Sequence, residues 1–328
     1  MVSVALTSEP PDGWETLWNA DPRATLFLHP RWMRVLTRAF PGHRAGYLAA
    51  TEAGRLRGLI PLVTVRRLVF NQFLSLPFGA HGGPLLASAA DTETAAALAR
   101  AFRGLARPWT LRFEMSVFHP DPSLRDALAP ALGDTFQDFR THLIDLAPGE
   151  RKLWERAYRR GTRKCVRFAE RAGVTVAIEN TPEALDTLHR LHENQGRAWI
   201  GVIPYSLSVI RTAAEEFGDA ARVFLARKDG RPVAGCLCLE HGDREIHPWV
   251  SGALPEAREW RAFHLVIHTA LMDAARRGIR TWHFGGSGGI GGVEYFKESF
   301  GAVPYPVLRC LHLASWFRRL RSRPEWDR

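Results

Sequence analysis

Two stretches of this chain hold chemistry-bearing side chains at regular spacing. The first, FGGSGGIGGVEYFKESFGA, runs from 284 to 302 and has five glycines between Gly286 and Gly292. Gly286, Gly288 and Gly291 satisfy G-x-G-x-x-G, a pattern that lets a pyrophosphate approach the backbone where a helix opens. A dinucleotide site also needs an acidic residue on a strand about 20 residues further on. No acid occurs between Glu298 and Glu325, and only 36 residues follow Gly292. A P-loop would end in G-K-[ST], whereas Gly292 precedes Val293. The glycines around Ser287 therefore read as a bend kept clear of side chains, so that a bulky substrate reaches the helix behind it. In that helix Lys297 stands beside an apolar side made of Val293, Phe296 and Phe300.

The second stretch is ERKLWERAYRRGTRKCVRFAERAG, from 150 to 173. If it is one helix, Arg156, Arg160, Arg163, Arg167 and Arg171 share a face. Such a row repels itself unless something anionic sits on it. Arg pairs with phosphate in a bidentate fork, so Arg163, Lys164 and Arg167 are candidate phosphate contacts. A plain solvated face accounts for the same spacing. In REIHPWV the alternation of a strand puts Glu245, His247 and Trp249 on one side. Glu245 or His247 could serve as a general base there, and either could equally be an ordinary strand residue. His189, His192 and Glu193 spell H-x-x-H-E, which is neither zinc-helix order, so no metal is expected. No nucleophilic triad is read from the sequence.

The elements that must position these residues repeat. YLAATEAGRLRGLIPLV, starting at Tyr47, and FLARKDGRPVAGCLCLE, starting at Phe224, each read strand, tight turn, strand. Both continue through a third strand, a helix, a strand, a short helix and a last strand. The first copy closes with RTHLIDL, the second with YPVLRCLHL. The expectation is an α/β chain of tandem duplicated domains, each with a mixed, mainly antiparallel sheet flanked by helices. The first domain spans 1–147, completed by the C-terminal segment 303–328, and the second spans 148–302. Before the second copy, Thr181 as N-cap, Pro182 and Glu183 open a further helix.

Composition narrows the partners. The 328 residues carry a net charge of +10 with pI near 10.1, which suits an anionic partner or merely reflects a preference for Arg. The cysteines show no metal spacing, and Cys236 and Cys238 share a strand face as small core residues. Together with the lack of a signal-peptide or membrane-span pattern, this predicts a reduced, cytoplasmic protein. The tail ASWFRRLRSRPEWDR, basic and aromatic, suits a frayed end or peripheral contact with a membrane or with tRNA.

With YFKESFGA behind WHFGGSGG, RGTRKCVRFAERAGV, and HGGPLL in the first copy, the chain resembles the Fem-type aminoacyltransferases and their BioF2-like relatives in the GNAT acyltransferase superfamily. The resemblance covers roughly residues 25–313, and its F-K-x-x-F-G signature is moderately specific. It implies transfer of an acyl group to an amine, the donor in the second copy and the acceptor between copies. Ordinary acetyl-CoA members hold the pyrophosphate with Q/R-x-x-G-x-G/A; here REWRAFHL, from Arg258, has no glycine, and Trp260, Arg261 and Phe263 would obstruct the backbone. Those members often place Tyr where Lys297 stands. An ammonium there would neutralise an oxyanion or a leaving alkoxide, which fits an aminoacyl ester.

The implied function is aminoacyl-tRNA-dependent aminoacyl transfer onto an anionic, phosphorylated amine acceptor. Lys297, with Glu245 or His247, would be catalytic, and main-chain donors near 249–252 would assist. Substrate contacts would come from Arg163, Lys164, Arg167, Trp249, Ser251, Arg258, Arg261, Gly286, Ser287, Gly288, Tyr295 and, in the first copy, His81. The chain is expected to act as a monomer with no cofactor beyond its aminoacyl-tRNA or acyl-CoA co-substrate. The alternatives are an acyl-CoA-dependent N-acyltransferase acting on an amino sugar or small amine, and a non-catalytic nucleic-acid or envelope-binding module.

Overall fold

The computed structural model describes residues 2–78, 81–118, 121–198 and 205–314. They form two compact units, Met1–Phe139 with Pro306–Arg328, and Arg140–Tyr305. The basic tail beyond residue 314 lies outside the described residues.

The first part of the chain has strands β1 (Ser3–Thr7), β2 (His43–Glu52), β3 (Arg55–Arg67), β4 (Phe70–Ser75), the short β5 (Leu85–Leu86), β6 (Thr110–Phe118) and β7 (Phe136–Asp145). Its helices are α1 (Trp14–Ala20), α2 (Pro30–Ala39), α3 (Thr92–Arg103) and α4 (Pro122–Leu132). The one-turn α5 (Glu150–Lys152) and a π-helical turn, Leu153–Ala157, then lead to α6 (Arg160–Arg171). The second part has β8 (Val174–Ile178), α7 (Pro182–Ala198), α8 (Leu207–Phe217), β9 (Ala221–Lys228), β10 (Arg231–His241) and β11 (Glu245–Ala253). It ends with α9 (Ala262–Arg276), β12 (Thr281–Gly286), α10 (Gly291–Ser299) and β13 (Val303–Leu313).

The echoed hairpins are the ones expected. Ala53 and Gly54 have φ of 48° and 75°, and Asp229 and Gly230 have 51° and 77°. Two successive left-handed residues make the tight turn whose twist matches paired antiparallel strands. The duplication extends to strand polarity. In the first unit β1 to β4 run antiparallel in order and β4 pairs parallel with β6. In the second, β8 to β11 run antiparallel in order and β11 pairs parallel with β12. The closing strands are exchanged. RTHLIDL, in β7, pairs antiparallel with β12 rather than with β6, and β13 pairs antiparallel with β6.

Each unit has its own core. Phe102, Phe113, Leu308 and Cys310 are buried in the first. Phe224, Trp282, Phe300 and both Cys236 and Cys238 are buried in the second. As predicted, the Thr181 hydroxyl caps α7, accepting from Ala184 N at 3.2 Å, with Pro182 as first residue. Among the described residues no helix is long and apolar enough to cross a membrane.

Candidate functional site

The site of the second unit is created where two parallel strands part. β11 pairs with β12 only at Glu245–Thr281 and Ile246–Trp282. On its other edge β11 carries a bulge: Cys238 faces Pro248 and Leu237 faces Val250, so Trp249 is the inserted residue. One inserted residue reverses the alternation of side chains. Pro248 and Ser251 consequently come to one face and line a cavity of about 570 Å³ with Phe263, Phe284, Phe296 and Lys297.

That geometry corrects the sequence reading of this strand. Glu245 and His247 are buried but are not among the residues lining the cavity. His247 stacks on His283 with ring centroids 4.8 Å apart and lies beneath Gly285, where an added Cβ would meet its Cε1 at 3.3 Å. Trp249 stacks on Tyr205 at 5.1 Å. Alternation holds from Glu245 to Pro248, which places Glu245 and His247 opposite the cavity-lining Pro248, and is interrupted only at Trp249.

Lys297 is only 5 % exposed, unlike a lysine on the outer face of a helix. Its ammonium donates to the carbonyls of Gly285 (2.8 Å) and Gly286 (2.7 Å) and to Ser287 Oγ (3.0 Å). Burial lowers its pKa to about 8, opposed only in part by Glu294. Among the described residues no carboxylate bonds to it. A positive charge held by dipoles beside a cavity can stabilise negative charge that develops there. The helix is fixed by its far end. Ser299 O accepts from Arg159 N (2.9 Å) and Thr162 Oγ1 (2.9 Å), and Arg159 pairs with Glu298 at 3.0 Å.

A second cavity, about 320 Å³, shares Arg258, Phe263 and Phe296 with the first and adds Arg261 and His264. It lies at the start of α9, in the segment that carries REWRAFHL. Arg261, the residue before that helix, has φ of 56°. It therefore takes the backbone conformation that a glycine adopts without strain. The expected obstruction by side chains is thus accompanied by a left-handed bend at Arg261.

The arginine row divides. Tyr158 and Arg159 have extended backbone, so Arg156 is not on the same helix as Arg160, Arg163, Arg167 and Arg171. Arg163 turns back on its own chain and donates to the carbonyls of Trp154 (3.2 Å), Glu155 (3.0 Å) and Tyr158 (2.7 Å), closing the preceding helical turn. Replacing Arg163 by Ala is expected to lower stability by roughly 2 kcal/mol, since the bonds from a charged donor disappear and the carbonyls remain. Urea unfolding checks this. Lys164, Arg167 and Arg171 remain exposed and, with Arg261, line an open basic hollow of about 500 Å³.

The other candidates fall in various places. Gly286 and Gly288 are exposed in the loop, and Gly288 has φ of 59°. Tyr295 is 63 % exposed with the Arg159 guanidinium 4.9 Å from its ring centroid, so it points away from Lys297. His192 has both ring nitrogens engaged, Nδ1 with Ser251 O (2.7 Å) and Nε2 with Tyr205 N (3.1 Å), which leaves it no lone pair for a metal. Among the described residues no cluster fit to hold a metal is found. His81 belongs to the first unit, where its ring stacks on Phe118 at 5.3 Å.

Two features of the site were not singled out from sequence. His142, 2 % exposed on β7, has Nδ1 3.4 Å from Ser287 Oγ. Nothing in the sequence links residues so far apart. Gly285 to Gly289 also spell G-x-S-x-G around Ser287, a local signal that was legible.

Residues 156–298 match the family model described as Acetyltransferase (GNAT) domain. The chain aligns with FemX at a TM-score of 0.72 and 15% identity, covering 97% of this chain and 100% of that one. It aligns with the tandem GNAT protein from the clavulanic acid biosynthesis pathway at 0.59 and 14%, covering 96% and 99%. With L-PGS from Bacillus licheniformis the values are 0.55 and 13%, covering 93% and 92%. No curated protein matches the chain in sequence. At these identities the likeness to solved structures is one of fold, while the family match falls on the segment that carries Lys297 and its cavity. Residues 156–298 thus match the GNAT acetyltransferase domain model, in a chain whose fold is similar to that of FemX and of a tandem GNAT protein.

Proposed function

We propose that the chain transfers an aminoacyl group from aminoacyl-tRNA to an amine, forming an amide bond. The observation that carries this is Lys297, a buried cation on a cavity wall with no carboxylate bonded to it. An aminoacyl ester has a ribose hydroxyl as leaving group, a poor one, and a cation beside the departing oxygen lowers that barrier most. The bulge at Trp249 supports a main-chain contribution from 249–252 to the same oxyanion. Neutral amine acceptors need no base, so neither Glu245 nor His247 is required. The anionic acceptor or the tRNA backbone would meet Arg258, Arg261, Lys164 and Arg167.

A second reading is favoured by one observation. Arg261, just before α9, has the left-handed backbone that glycine adopts without strain, and a helix N-terminus of this kind can receive a pyrophosphate, which supports an acyl-CoA donor. The two readings separate when the protein is incubated with labelled aminoacyl-tRNA pools or labelled acetyl-CoA and a cell extract as acceptor source. Label passing from tRNA to an RNase-resistant product is the expected result; label passing only from CoA overturns it. Movement from neither favours a non-catalytic module.

If tRNA phosphates meet the basic hollow, replacing Lys164 by Ala should weaken tRNA binding. It should also reduce the slope of log K against log salt by about one for each phosphate no longer neutralised, measured by titrations at several salt concentrations. An unchanged slope would remove Lys164 from the interface.

A further inference from the structure

One end of the sheet in the first unit gathers four chain segments of the same character. His43, at the start of β2, pairs with Val65 near the end of β3, and Arg67 pairs with Phe70 across the turn into β4. β6 runs parallel to β4 from that same end, with Asn71 facing Thr110 and Asn71 N donating to Trp109 O at 3.1 Å. β13 finishes there, with Leu313 opposite Arg112 and Ala314 N donating to Leu111 O at 2.9 Å. Each segment comes from a run without an acid: residues 22–51, 53–90, 94–113 and 299–324 contain no Asp or Glu. Arg44, Arg66 and Arg107 are exposed on them. The sequence that follows Ala314 adds Trp316, Phe317, Arg318 and Arg319.

The turn at this end breaks the usual chemistry of a two-residue hairpin. Such tips favour Gly, Asn or Asp, because at least one of the two residues takes a positive φ. Here the pair is Leu68 and Val69, and Leu68 has φ of 55°. A bulky aliphatic residue is strained in that conformation. Leu68 is 90 % exposed and Val69 68 %, the two highest values for large apolar side chains among the described residues. Trp109, one strand across from the turn, is 49 % exposed. Neither the strain nor the exposure helps the fold, so the residues at this tip are explained by something that covers them.

We propose that this end of the first unit is a docking face for an anionic membrane surface. Leu68 and Val69 enter the boundary of the acyl chains, the indole of Trp109 sits at headgroup depth, and Arg44, Arg66 and Arg107 meet lipid phosphates. The acid-free runs make the face complementary to negative charge, and the aliphatic tip selects lipid among anionic partners. A nucleic acid would engage the arginines and the indole, but Leu68 and Val69 have no ring face on which a base stacks. The face belongs to the first unit, and the inference does not depend on which acyl donor the second unit uses.

The test mixes the full chain with vesicles of phosphatidylcholine alone, or of phosphatidylcholine with phosphatidylglycerol, and reads the bound fraction by sedimentation. Binding to the mixed vesicles only is expected, weakening as salt is raised. The double variant L68G/V69S should bind at least about tenfold more weakly, because most of the inserted apolar area is gone. R66Q and R107Q should each lose about fivefold. Glycine takes a φ of 55° without strain, so L68G alone should unfold at no lower urea concentration than the wild type while binding vesicles less. That pair of readings separates docking from folding. Equal binding to both kinds of vesicle overturns the proposal, as do variants that bind like the wild type. A double variant that keeps its vesicle binding but loses affinity for bulk tRNA also overturns it and makes the face a nucleic-acid contact.

Discussion

Replacing Lys297 by Ala is expected to lower kcat for acyl transfer by about 100- to 1000-fold, the usual consequence of deleting one preorganised donor to an oxyanion. KM should change little, because the interaction matters in the transition state rather than in substrate binding. The fold should survive. Lys297 is buried, and its folded pKa of about 8 lies below the ordinary lysine value of 10.5. Between those values the unfolded chain binds more protons, so stability rises with pH through that window. Below it the buried charge is a standing cost of roughly 3 kcal/mol. Lys297→Met should therefore lose activity without a matching loss of stability at neutral pH. Its stability should also lack the wild-type gain between pH 8 and 10.5. Urea unfolding of both proteins across that range is the measurement. A K297M protein that turns over normally, or one that simply fails to fold, would refute a catalytic role held at a cost in stability.

Gly301→Ala should be nearly as damaging, through the backbone. Gly301 ends the F-K-x-x-F-G run with φ of 89°. An added Cβ would sit 2.7 Å from Ala157 Cβ and 2.9 Å from Ala157 O. A left-handed alanine costs about 1–2 kcal/mol, and forcing a methyl against packed main chain about 1–3 more. The expected loss is about 3 kcal/mol. Activity should fall with it, because the contacts of 157–162 with Ser299 and Glu298 hold the helix that carries Lys297. Thermal unfolding and transfer assays on the same preparation check both halves. Wild-type stability in Gly301→Ala would mean that this glycine is not required by its conformation.

Much of the fold was legible because it is decided locally. Gly54 and Gly230 at the hairpin tips accept left-handed backbone without strain, and Thr181 followed by Pro182 opens a helix within a few residues. The period of apolar residues in α10 and the two cysteines of β10 likewise point to the core. The resemblance carried by YFKESFGA pointed to α10 and to Lys297, which the structure places on the wall of a cavity. The details of the site depend on contacts that no local pattern encodes. Glu245 and His247 lie on the side of β11 opposite Pro248, and the bulge at Trp249 brings Ser251 to the side of Pro248; period-two alternation cannot reveal that inserted residue. Arg163 belongs to a periodic basic row, yet three carbonyls made available by the helix break at Tyr158 and Arg159 take its guanidinium. The pairing of β7 with β12 joins strands distant in sequence, which no local pattern encodes. Sequence alone thus determined the elements, their order and the presence of a lysine in a glycine-flanked helix. Only the tertiary structure decided that this lysine is buried, bonded to no carboxylate among the described residues, and donating to Ser287, which in turn lies beside His142. Desolvation and long-range hydrogen bonds exist only once the strands have closed around them.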